Sequence, residues 1–408
     1  MILLGIVLLA GFYMAWAIGA NDVANAMGTS VGSGALTLRR AVIIAAVLEF
    51  SGAFFFGSHV SETIQKGIID PNIFMQNPQI LAFGMLASLL SAGVWLQLAS
   101  YLGLPVSTTH SIVGSVIGFG AVIGGFDAIN WENVGFIVSS WVISPLAGGI
   151  FAYGIFSILR KKIFYTHNPL ASAKKLTPVF VFFVILTLSL ILIFDGLKNL
   201  NLHISFYFGL NICCFIGLLA SLLSYFLVKK IKADPHSEFN SVEKIFGYLQ
   251  ILSASLMAFA HGANDVANAI GPLAAAIGIL TSGVIAAKAS VPTWALGLGG
   301  VGIIIGLATW GWRVIETIGK KITELTPTRG FAAEFGAAAT ILVASRLGMP
   351  ISTTHTLVGA VIGVGLARGI EALNLGMTRD IILSWIVTIP AGAVLAVGFY
   401  YIIHALFG

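Results

Sequence analysis

Charged side chains are scarce in this sequence. Only 9% of its 408 residues are Asp, Glu, Lys or Arg, whereas a typical soluble domain has about 25%. Cysteine is rare too, and because the neighbours Cys213 and Cys214 lie in one apolar run, they point to neither a disulfide framework nor a zinc site. Hydrophobic residues make up 58% of the chain, in long stretches that recur from end to end. The sequence therefore predicts an all-α integral membrane protein that crosses the bilayer many times.

Twelve apolar segments are candidates for membrane spans. They cover residues 2–27, 41–57, 79–102, 104–122, 134–159, 177–195, 204–228, 246–271, 295–311, 331–347, 349–367 and 380–404. The first lacks the basic start of a secretory signal, so we expect it to belong to the mature protein. The segments that follow Pro105 and Pro350 are rich in glycine and hydroxyl groups, and they either cross the bilayer or re-enter from one side. The expected fold thus has about twelve transmembrane segments, some of them broken or re-entrant helices.

Lysine and arginine set the expected orientation. Seventeen of the 21 basic residues lie in loops on one side of the predicted membrane, which we take as the cytoplasmic side. The other side holds Lys66, Lys198 and Lys288, and Arg346 lies near the end of a predicted span. With twelve spans, both termini then lie outside the cytoplasm. The net charge of +5 resides in these loops and gives no reason to expect nucleic-acid binding.

The chain contains an internal repeat, and the order of its motifs is the same in both halves. The stretch GANDVANAMG at Gly19 recurs as GANDVANAIG at Gly262. Likewise, LPVSTTHSIVGSVIGFG at Leu104 recurs as MPISTTHTLVGAVIGVG at Met349. Seven predicted spans separate the starts of the two copies, and because seven is odd, the second copy enters the membrane from the opposite face. Such inverted-topology repeats are typical of secondary transporters, whose sites lie near the midplane at the repeat interface.

This repeat divides the chain into three parts. The first inverted repeat covers residues 1–159 and the second covers 246–408. Between them, residues 160–245 belong to neither copy and hold two predicted spans and basic cytoplasmic loops. We interpret this part as a linker that supplies the inversion.

Each copy of the first motif places an aspartate and an asparagine inside an apolar segment. Asp22 and Asn25 are three residues apart, as are Asp265 and Asn268, so each pair shares one helix face. A charged Asp in hydrocarbon costs several kcal/mol unless it has a partner or a water-filled cavity. Carboxylate and amide oxygens are ligands that suit hard cations. Hydrogen bonding between helices is the alternative for a single copy, but two copies at matched positions favour an ion and substrate site.

The other asparagines of this motif, Asn21 and Asn264, point elsewhere on a regular helix. They join the aspartates only if the backbone opens, as it does at some transporter sodium sites. The flanking glycines make such an opening plausible, and Pro272 is expected to end the second copy.

The second motif, PVSTTH and PISTTH, predicts two helix starts with serine or threonine caps. The first turn of a helix has free N–H groups and a partial positive charge, which makes it an anion site. Further donors are the hydroxyls of Ser107, Thr108, Thr109, Ser352, Thr353 and Thr354. Ordinary capping is the alternative, but it does not explain three consecutive hydroxyl residues in both copies. Two such ends facing each other would form a cradle for a tetrahedral oxyanion.

Two glutamates and three histidines complete the polar residues of interest. Glu49 and Glu334 lie in predicted spans and have no match in the other copy. We interpret each as a gating or coupling residue or as a structural hydrogen-bond partner. His261 stands beside the second signature, where the first copy has isoleucine, and is a candidate for proton linkage or substrate contact. His110 and His355 are expected to be buried, neutral and hydrogen-bonded to a neighbouring helix.

The paired GANDVANA signatures, the paired STTH helix starts and the inverted duplication resemble the inorganic phosphate transporter (PiT) family over essentially the whole chain. The resemblance implies a secondary transporter of inorganic phosphate driven by sodium or protons, not an enzyme. It further implies oligomers, for which we consider a homodimer. Glu49 and Glu334 match family glutamates important for transport. Because the insert between the halves is short, we expect a multi-pass protein of a prokaryotic plasma membrane.

The expected ligands follow from the motifs together with this resemblance. Phosphate is assigned to Ser107, Thr108, Thr109, Ser352, Thr353, Thr354, Asn25 and Asn268, and sodium to Asp22, Asn25, Asp265, Asn268, Thr108 and Thr353. Phosphate and two aspartates bring at least three negative charges together, and neither motif holds a lysine or arginine. Cations between them, or protonated aspartates, would solve this, and the oxygen ligands favour co-transported sodium.

Three other functions remain as alternatives. The nearest is a proton-coupled phosphate or sulfate permease of the same architecture, since the hydroxyl donors alone do not separate phosphate from sulfate. A channel would not need a set of anion and cation ligands that closes around its cargo. An intramembrane enzyme is disfavoured because no nucleophile–base pair or metal triad has convincing spacing.

Overall fold

The computed structural model describes residues 1–58, 67–194, 205–234, 237–285, 291–347, 349 and 351–408. These residues form helices joined by short connections and contain no β-strand beyond an isolated bridge between Ile69 and Ile129. The expectation of an all-α protein is confirmed.

Thirteen α-helices lie within the described ranges. They are α1 (Ile2–Gly32), α2 (Leu38–Phe56), α3 (Pro78–Tyr101), α4 (Thr108–Phe119), α5 (Trp131–Leu159), α6 (Pro169–Phe194), α7 (Phe206–Lys229), α8 (Glu238–Ser282), α9 (Thr293–Trp310), α10 (Trp312–Lys320), α11 (Pro327–Arg346), α12 (Thr353–Arg368) and α13 (Leu375–Phe407). Each predicted span overlaps one of these helices, and the short helix α10 was not predicted.

Eight of the described helices are long and apolar enough to cross a bilayer: α1, α3, α5, α6, α7, α8, α9 and α13. Helix α8 has 45 residues and far exceeds the roughly 20 that a bilayer requires. A count of twelve crossings stays a prediction, whereas the multi-pass helical architecture is confirmed.

Helices α4 and α12, which carry the STTH motifs, are too short to cross alone. Helix α4 has 12 residues followed by a π-helical turn of 5, and α12 has 16. At about 1.5 Å per residue they fall short of the roughly 30 Å of hydrocarbon. Their first turns meet, because Thr109 donates to the Ile351 carbonyl at 3.1 Å and Thr354 donates to the Val106 carbonyl at 3.3 Å. Both helices therefore start inside the protein, as expected of re-entrant segments.

The equivalent helices α1 and α8 run antiparallel. A Cβ on Gly11, early in α1, would lie 2.7 Å from Leu273, late in α8. At the other end, Ser30 of α1 and Ser253 of α8 both donate to Glu334. The start of one helix thus lies beside the end of the other, which is the arrangement that an inverted repeat requires.

Reciprocal glycine contacts repeat the same two-fold relation. A Cβ on Gly19 of α1 would lie 1.9 Å from the Ile303 carbonyl oxygen of α9. A Cβ on Gly262 of α8 would lie 2.1 Å from the Glu49 carbonyl oxygen of α2. Small residues let membrane helices approach this closely. The signature glycines therefore fix how each signature helix crosses a helix of the other repeat.

Helices α6 and α7 pack against each other, and α6 also packs against α8. Helix α8 continues without a break through residues 245 and 246. The division at 1–159, 160–245 and 246–408 stays a prediction. Lys66, Lys198 and Lys288, which marked the expected outer face, lie outside the described residues.

Candidate functional site

The first signature meets both STTH motifs through Asp22, which is 1% exposed on α1. One carboxylate oxygen of Asp22 accepts a short hydrogen bond from the Thr108 hydroxyl. The other oxygen accepts a hydrogen bond from the Thr354 hydroxyl at 3.3 Å. Asp22 therefore touches the first turns of both α4 and α12.

The second signature makes the matching contact through Asp265 on α8. Its Oδ2 accepts a hydrogen bond from the Thr353 hydroxyl at 2.6 Å. His261, one turn earlier on the same helix, brings its Nε2 to 2.8 Å from that same oxygen. Asp265 thus shares the threonine contact of Asp22 but adds a histidine.

The two asparagines cross to the opposite repeat. Asn25 donates through Nδ2 to the Thr354 hydroxyl at 2.8 Å. Asn268 donates through Nδ2 to the Thr109 hydroxyl at 3.4 Å. Each signature therefore contacts the STTH motif of the other repeat, so the cluster exists only when both repeats are present.

Several oxygen atoms in this cluster have no hydrogen-bond partner within the described part of the chain. They are the buried Oδ1 atoms of Asn25, Asn268 and Asp265. Pro272 also lacks the N–H that would bond the backbone carbonyl of Asn268 within the helix. A buried polar atom without a partner is unfavourable unless a ligand meets it. Such oxygens suit a hard cation like sodium.

The cluster concentrates negative charge. Ligand atoms of Asp22, Asp265 and His261 lie within 4.8 Å of one another. Two unit negative charges at this distance repel by about 3 to 4 kcal/mol at an effective dielectric of about 20. Among the described residues, no lysine or arginine forms an ion pair with either aspartate. The arrangement therefore calls for a proton or a bound cation.

Glu49 on α2 lies at the edge of this cluster. One of its carboxylate oxygens is 3.2 Å from Nδ1 of His261, and neither side chain is exposed. His261 thus stands between Glu49 and Asp265, one on each ring nitrogen. Glu49, a gating or coupling candidate, is thus in direct contact with His261, the candidate for proton linkage or substrate contact.

Glu334 on α11 lies in a separate polar cluster away from the aspartates. Its carboxylate accepts hydrogen bonds from Ser30 at 2.6 Å, Ser253 at 2.7 Å and Gln250 at 3.4 Å, and a short one from Thr29. We call these five residues the Glu334 cluster. Four donors from α1 and α8 satisfy one buried carboxylate, so Glu334 joins both signature helices.

Ser107 and Ser352 serve as helix caps. The Ser107 oxygen accepts a hydrogen bond from the backbone N–H of His110 at 3.2 Å, and the Ser352 oxygen accepts one from that of His355 at 3.1 Å. This is the ordinary capping considered as the alternative. The assignment of Ser107 and Ser352 to phosphate stays a prediction, in which their hydroxyl hydrogens would donate to the anion.

The histidines of the STTH motifs form an aromatic stack that the sequence did not reveal. The rings of His110 and His355 lie 4.2 Å apart, and each packs on a tryptophan, Trp141 at 3.7 Å and Trp385 at 3.6 Å. His355 also has Nδ1 at 3.4 Å from the Trp141 carbonyl. The sequence signal for these tryptophans was the Ser-Trp pair that occurs in both repeats, at Ser140–Trp141 and Ser384–Trp385. These tryptophans support the two STTH helix starts.

The expected opening of the signature backbone is wrong. Helix α1 is continuous through the first signature, and α8 is continuous through the second and past Pro272. Asn21 instead donates to Ser100 at 3.0 Å and to the Leu104 carbonyl, and Asn264 donates to Ser345 at 2.9 Å. Both side chains find partners on the helix or connection before each STTH motif without any unwinding, although Oδ1 of Asn264 has no partner among the described residues.

A buried centre lined by carboxylate, amide and hydroxyl groups between two inverted helical repeats is the arrangement of a membrane transporter. The sequence profile of the Phosphate transporter family matches residues 18–396. The chain belongs to this family and is not an enzyme.

Individual proteins agree with this membership. A Pyrococcus furiosus protein provisionally named a phosphate permease is 51% identical over 96% of this chain and 94% of its own length. Inorganic phosphate transporter 2-1, chloroplastic, of Arabidopsis thaliana is 50% identical over 97% of this chain and 71% of its own length. A solved structure titled the sodium-dependent phosphate transporter is 42% identical, covers all of both chains and superposes with a TM-score of 0.93.

Proposed function

We propose that this protein imports inorganic phosphate together with sodium, by alternating access around the cluster of Asp22, Asn25, Asp265, Asn268 and the STTH threonines. The observation that carries the proposal is the crossed pair of hydrogen bonds, Asn25 to Thr354 and Asn268 to Thr109. Because these bonds join the two repeats at one place, a relative movement of the repeats changes the site itself. Membership of the phosphate transporter family supports phosphate as the cargo.

Sodium solves the charge problem of the site. Phosphate near neutral pH adds one to two negative charges to those of Asp22 and Asp265. The first turns of α4 and α12 each supply only about half a positive charge. Sodium ions held by the aspartates and by the unpartnered oxygens of Asn25 and Asn268 neutralise the remainder. The name of the similar solved structure, a sodium-dependent phosphate transporter, supports the same choice of ion.

Alternating access follows from the inverted repeat. Each repeat adopts in turn the conformation of the other, so the site opens to one face and then to the other. We place the arginine-rich and lysine-rich loops in the cytoplasm and both termini outside a plasma membrane, as the charge distribution favours. A homodimer is the oligomer that we would test first.

Uptake of radiolabelled phosphate into proteoliposomes tests the coupling. We expect an inward sodium gradient to raise the initial rate at least about tenfold over choline at equal ionic strength, because cation and anion bind together. Equal rates in sodium and choline would rule out sodium coupling while leaving phosphate transport in place.

Excess sulfate in the same assay tests the cargo. Phosphate near neutral pH can still donate a proton to an ionised Asp22 or Asp265, whereas sulfate cannot. We therefore expect sulfate to leave phosphate uptake nearly unchanged. Strong competition would make the protein a general permease for tetrahedral anions.

Proton coupling is the second candidate, and the contact of His261 with Glu49 and Asp265 favours it. In that case a proton shared by Glu49, His261 and Asp265 replaces sodium and offsets the negative charge of phosphate. An imposed pH gradient without sodium distinguishes the two. Under the sodium proposal His261→Gln lowers sodium-driven uptake only a few-fold, because the oxygen ligands remain, whereas proton coupling predicts its loss.

A further inference from the structure

A basic cavity lies at the ends of α5, α11 and α12, away from the central cluster. Its volume is about 290 Å³, and it opens to the protein surface. The polar residues that line it are Arg160, Tyr165, Glu243, Thr326, Arg329 and Arg368. The three arginines come from distant parts of the sequence, since Arg160 follows α5, Arg329 lies in the first turn of α11 and Arg368 ends α12. The fold thus brings three guanidinium groups to one opening.

Two of these arginines share one carboxylate. Arg329 and Arg368 lie 3.0 Å and 3.2 Å from the same oxygen of Glu324, whose side chain is 75% exposed. The hydrogen bond from Arg329 and the charges of both arginines hold the pKa of Glu324 below its usual range. One carboxylate therefore serves two guanidinium groups, which leaves positive charge uncompensated.

The third arginine has no acidic partner among the described residues. Arg160 donates to the backbone carbonyl of Ala367 and to the hydroxyl of Tyr165. The nearby carboxylate of Glu243 accepts from the backbone N–H of Thr328 at 2.8 Å and from its hydroxyl at 2.9 Å. Glu243 thus caps the start of α11. Three guanidinium groups line the cavity, and the two nearby carboxylates, Glu243 in its lining and Glu324 beside it, are already hydrogen-bonded.

We propose that this cavity, which we name the arginine pocket, is a second anion site that binds a phosphate group. Guanidinium groups bind phosphate oxygens through paired, charge-assisted hydrogen bonds. The pocket lies at helix ends beside basic loops, where either an anionic lipid headgroup or free inorganic phosphate can reach it. A ligand there bridges α5 of the first repeat to α11 and α12 of the second. Occupancy would therefore stabilise the packing of these three helices.

The test needs variants that change the arginine pocket without touching the central cluster. Arg160→Gln removes the charge that has no carboxylate partner, and Arg160→Lys keeps a charge without the forked geometry. Arg379→Gln is the matched control, because Arg379 is 74% exposed, pairs with Asp380 and does not line the pocket. Size-exclusion profiles and melting curves verify that each variant is folded.

One arm detects a lipid ligand. The full chain is released from nanodiscs that contain phosphatidylglycerol or only phosphatidylcholine, and retained lipid is counted by native mass spectrometry. If a headgroup is the ligand, phosphatidylglycerol is retained in the wild type and in Arg379→Gln, and about tenfold more weakly in Arg160→Gln. Arg160→Lys should be intermediate.

The other arm detects free phosphate. Binding of radiolabelled phosphate is measured on the Thr109→Val/Thr354→Val protein, in which the central cluster is weakened. If free phosphate is the ligand, Arg160→Gln lowers the residual binding on this background, whereas Arg379→Gln leaves it unchanged. Either of these patterns supports the arginine pocket. The proposal is refuted if neither phosphatidylglycerol retention nor residual phosphate binding depends on Arg160. If Arg160→Gln changes only the melting temperature, Arg160 is a structural cap of α12 and the proposal is likewise refuted.

Discussion

The two repeats use the same residues at the proposed cargo site and different residues around it. Asp22 and Asp265 make equivalent threonine contacts, and both asparagines reach across to the other repeat. Beside Asp265, however, stand His261 and Glu49, whereas the corresponding positions beside Asp22 are the buried Ile18 and, from the second repeat, Ile303. The proposed ligands are thus matched in the two halves, whereas the His261–Glu49 pair adjoins only Asp265 and has no polar counterpart beside Asp22.

The Glu334 cluster shows a second difference of this kind. Its counterparts in the other half, taken by the repeat spacing, are Val7, Ala10, Leu89, Pro272 and Leu273. These apolar residues are buried, and Leu273 packs directly against the position of Gly11. The two ends of the α1–α8 pair are thus held together by different forces, hydrogen bonds to a carboxylate at one end and apolar packing at the other. A transporter built from matched halves can in this way give its two faces different stabilities.

The largest expected effect comes from removing one member of the matched pair. We predict that Asp22→Asn and Asp265→Asn each lower phosphate uptake roughly 100-fold or more, since a buried charged contact is worth up to about 3 kcal/mol. Proteoliposome uptake measures this, with the exposed Asp127→Asn as control. Normal transport by either variant would overturn the assignment of the site.

Substitution of Glu334, which has no match in the other repeat, should affect the transport rate more than phosphate binding. We expect Glu334→Gln to lower uptake at least about tenfold while sodium-dependent phosphate binding stays within a few-fold of wild type, because the Glu334 cluster joins helices and lies apart from the central ligands. Equilibrium binding and uptake are measured on the same preparation. Parallel loss of both would make Glu334 a ligand or a folding residue, not a gate.

The crossed threonines should affect affinity moderately. Thr354→Val removes the hydroxyl that contacts Asn25 and Asp22, and we expect about a tenfold weaker apparent affinity for phosphate, the effect of one to two lost hydrogen bonds. Thr109→Val should do the same to a smaller extent, because its contact with Asn268 is longer. The control is Thr354→Ser, which keeps the hydroxyl. If Thr354→Val and Thr354→Ser behave alike, the hydroxyl has no role in binding.

The smallest effect concerns packing. A methyl group at Gly262 would overlap the Glu49 carbonyl oxygen, so Gly262→Ala should destabilise the protein by about 1 to 3 kcal/mol. Gly247 lies on the same helix with nothing within 4 Å of its Cβ position, and Gly247→Ala is the control. Thermal unfolding in detergent measures both. Equal melting temperatures would show that α2 and α8 can separate without cost.

The sequence predicted the parts of this protein that depend on pattern. Long apolar runs predicted the helices, and the repeated motifs predicted an inverted pair whose antiparallel signature helices the structure contains. Paired polar residues in apolar surroundings directed attention to Asp22 and Asp265, which lie together. These predictions succeed because burial of a charge in a membrane leaves few physical solutions.

Contacts between distant segments could not be predicted in the same way. The opening expected at the signatures does not occur, because Ser100 and Ser345 provide partners for Asn21 and Asn264 that no local pattern reveals. The pairing of His261 with Glu49 and the four donors around Glu334 likewise depend on helix packing. Long-range hydrogen bonds require the register between helices, which spacing along one helix does not contain.

The most direct test of the central claim is the affinity of the purified protein for phosphate, measured by calorimetry at increasing sodium concentration. If both repeats hold sodium beside the anion, phosphate affinity rises with sodium, and phosphate raises sodium affinity by the same factor. In Asp22→Asn and Asp265→Asn this dependence should weaken to a similar degree. Phosphate affinity that is constant from zero to saturating sodium in the wild type would contradict the account.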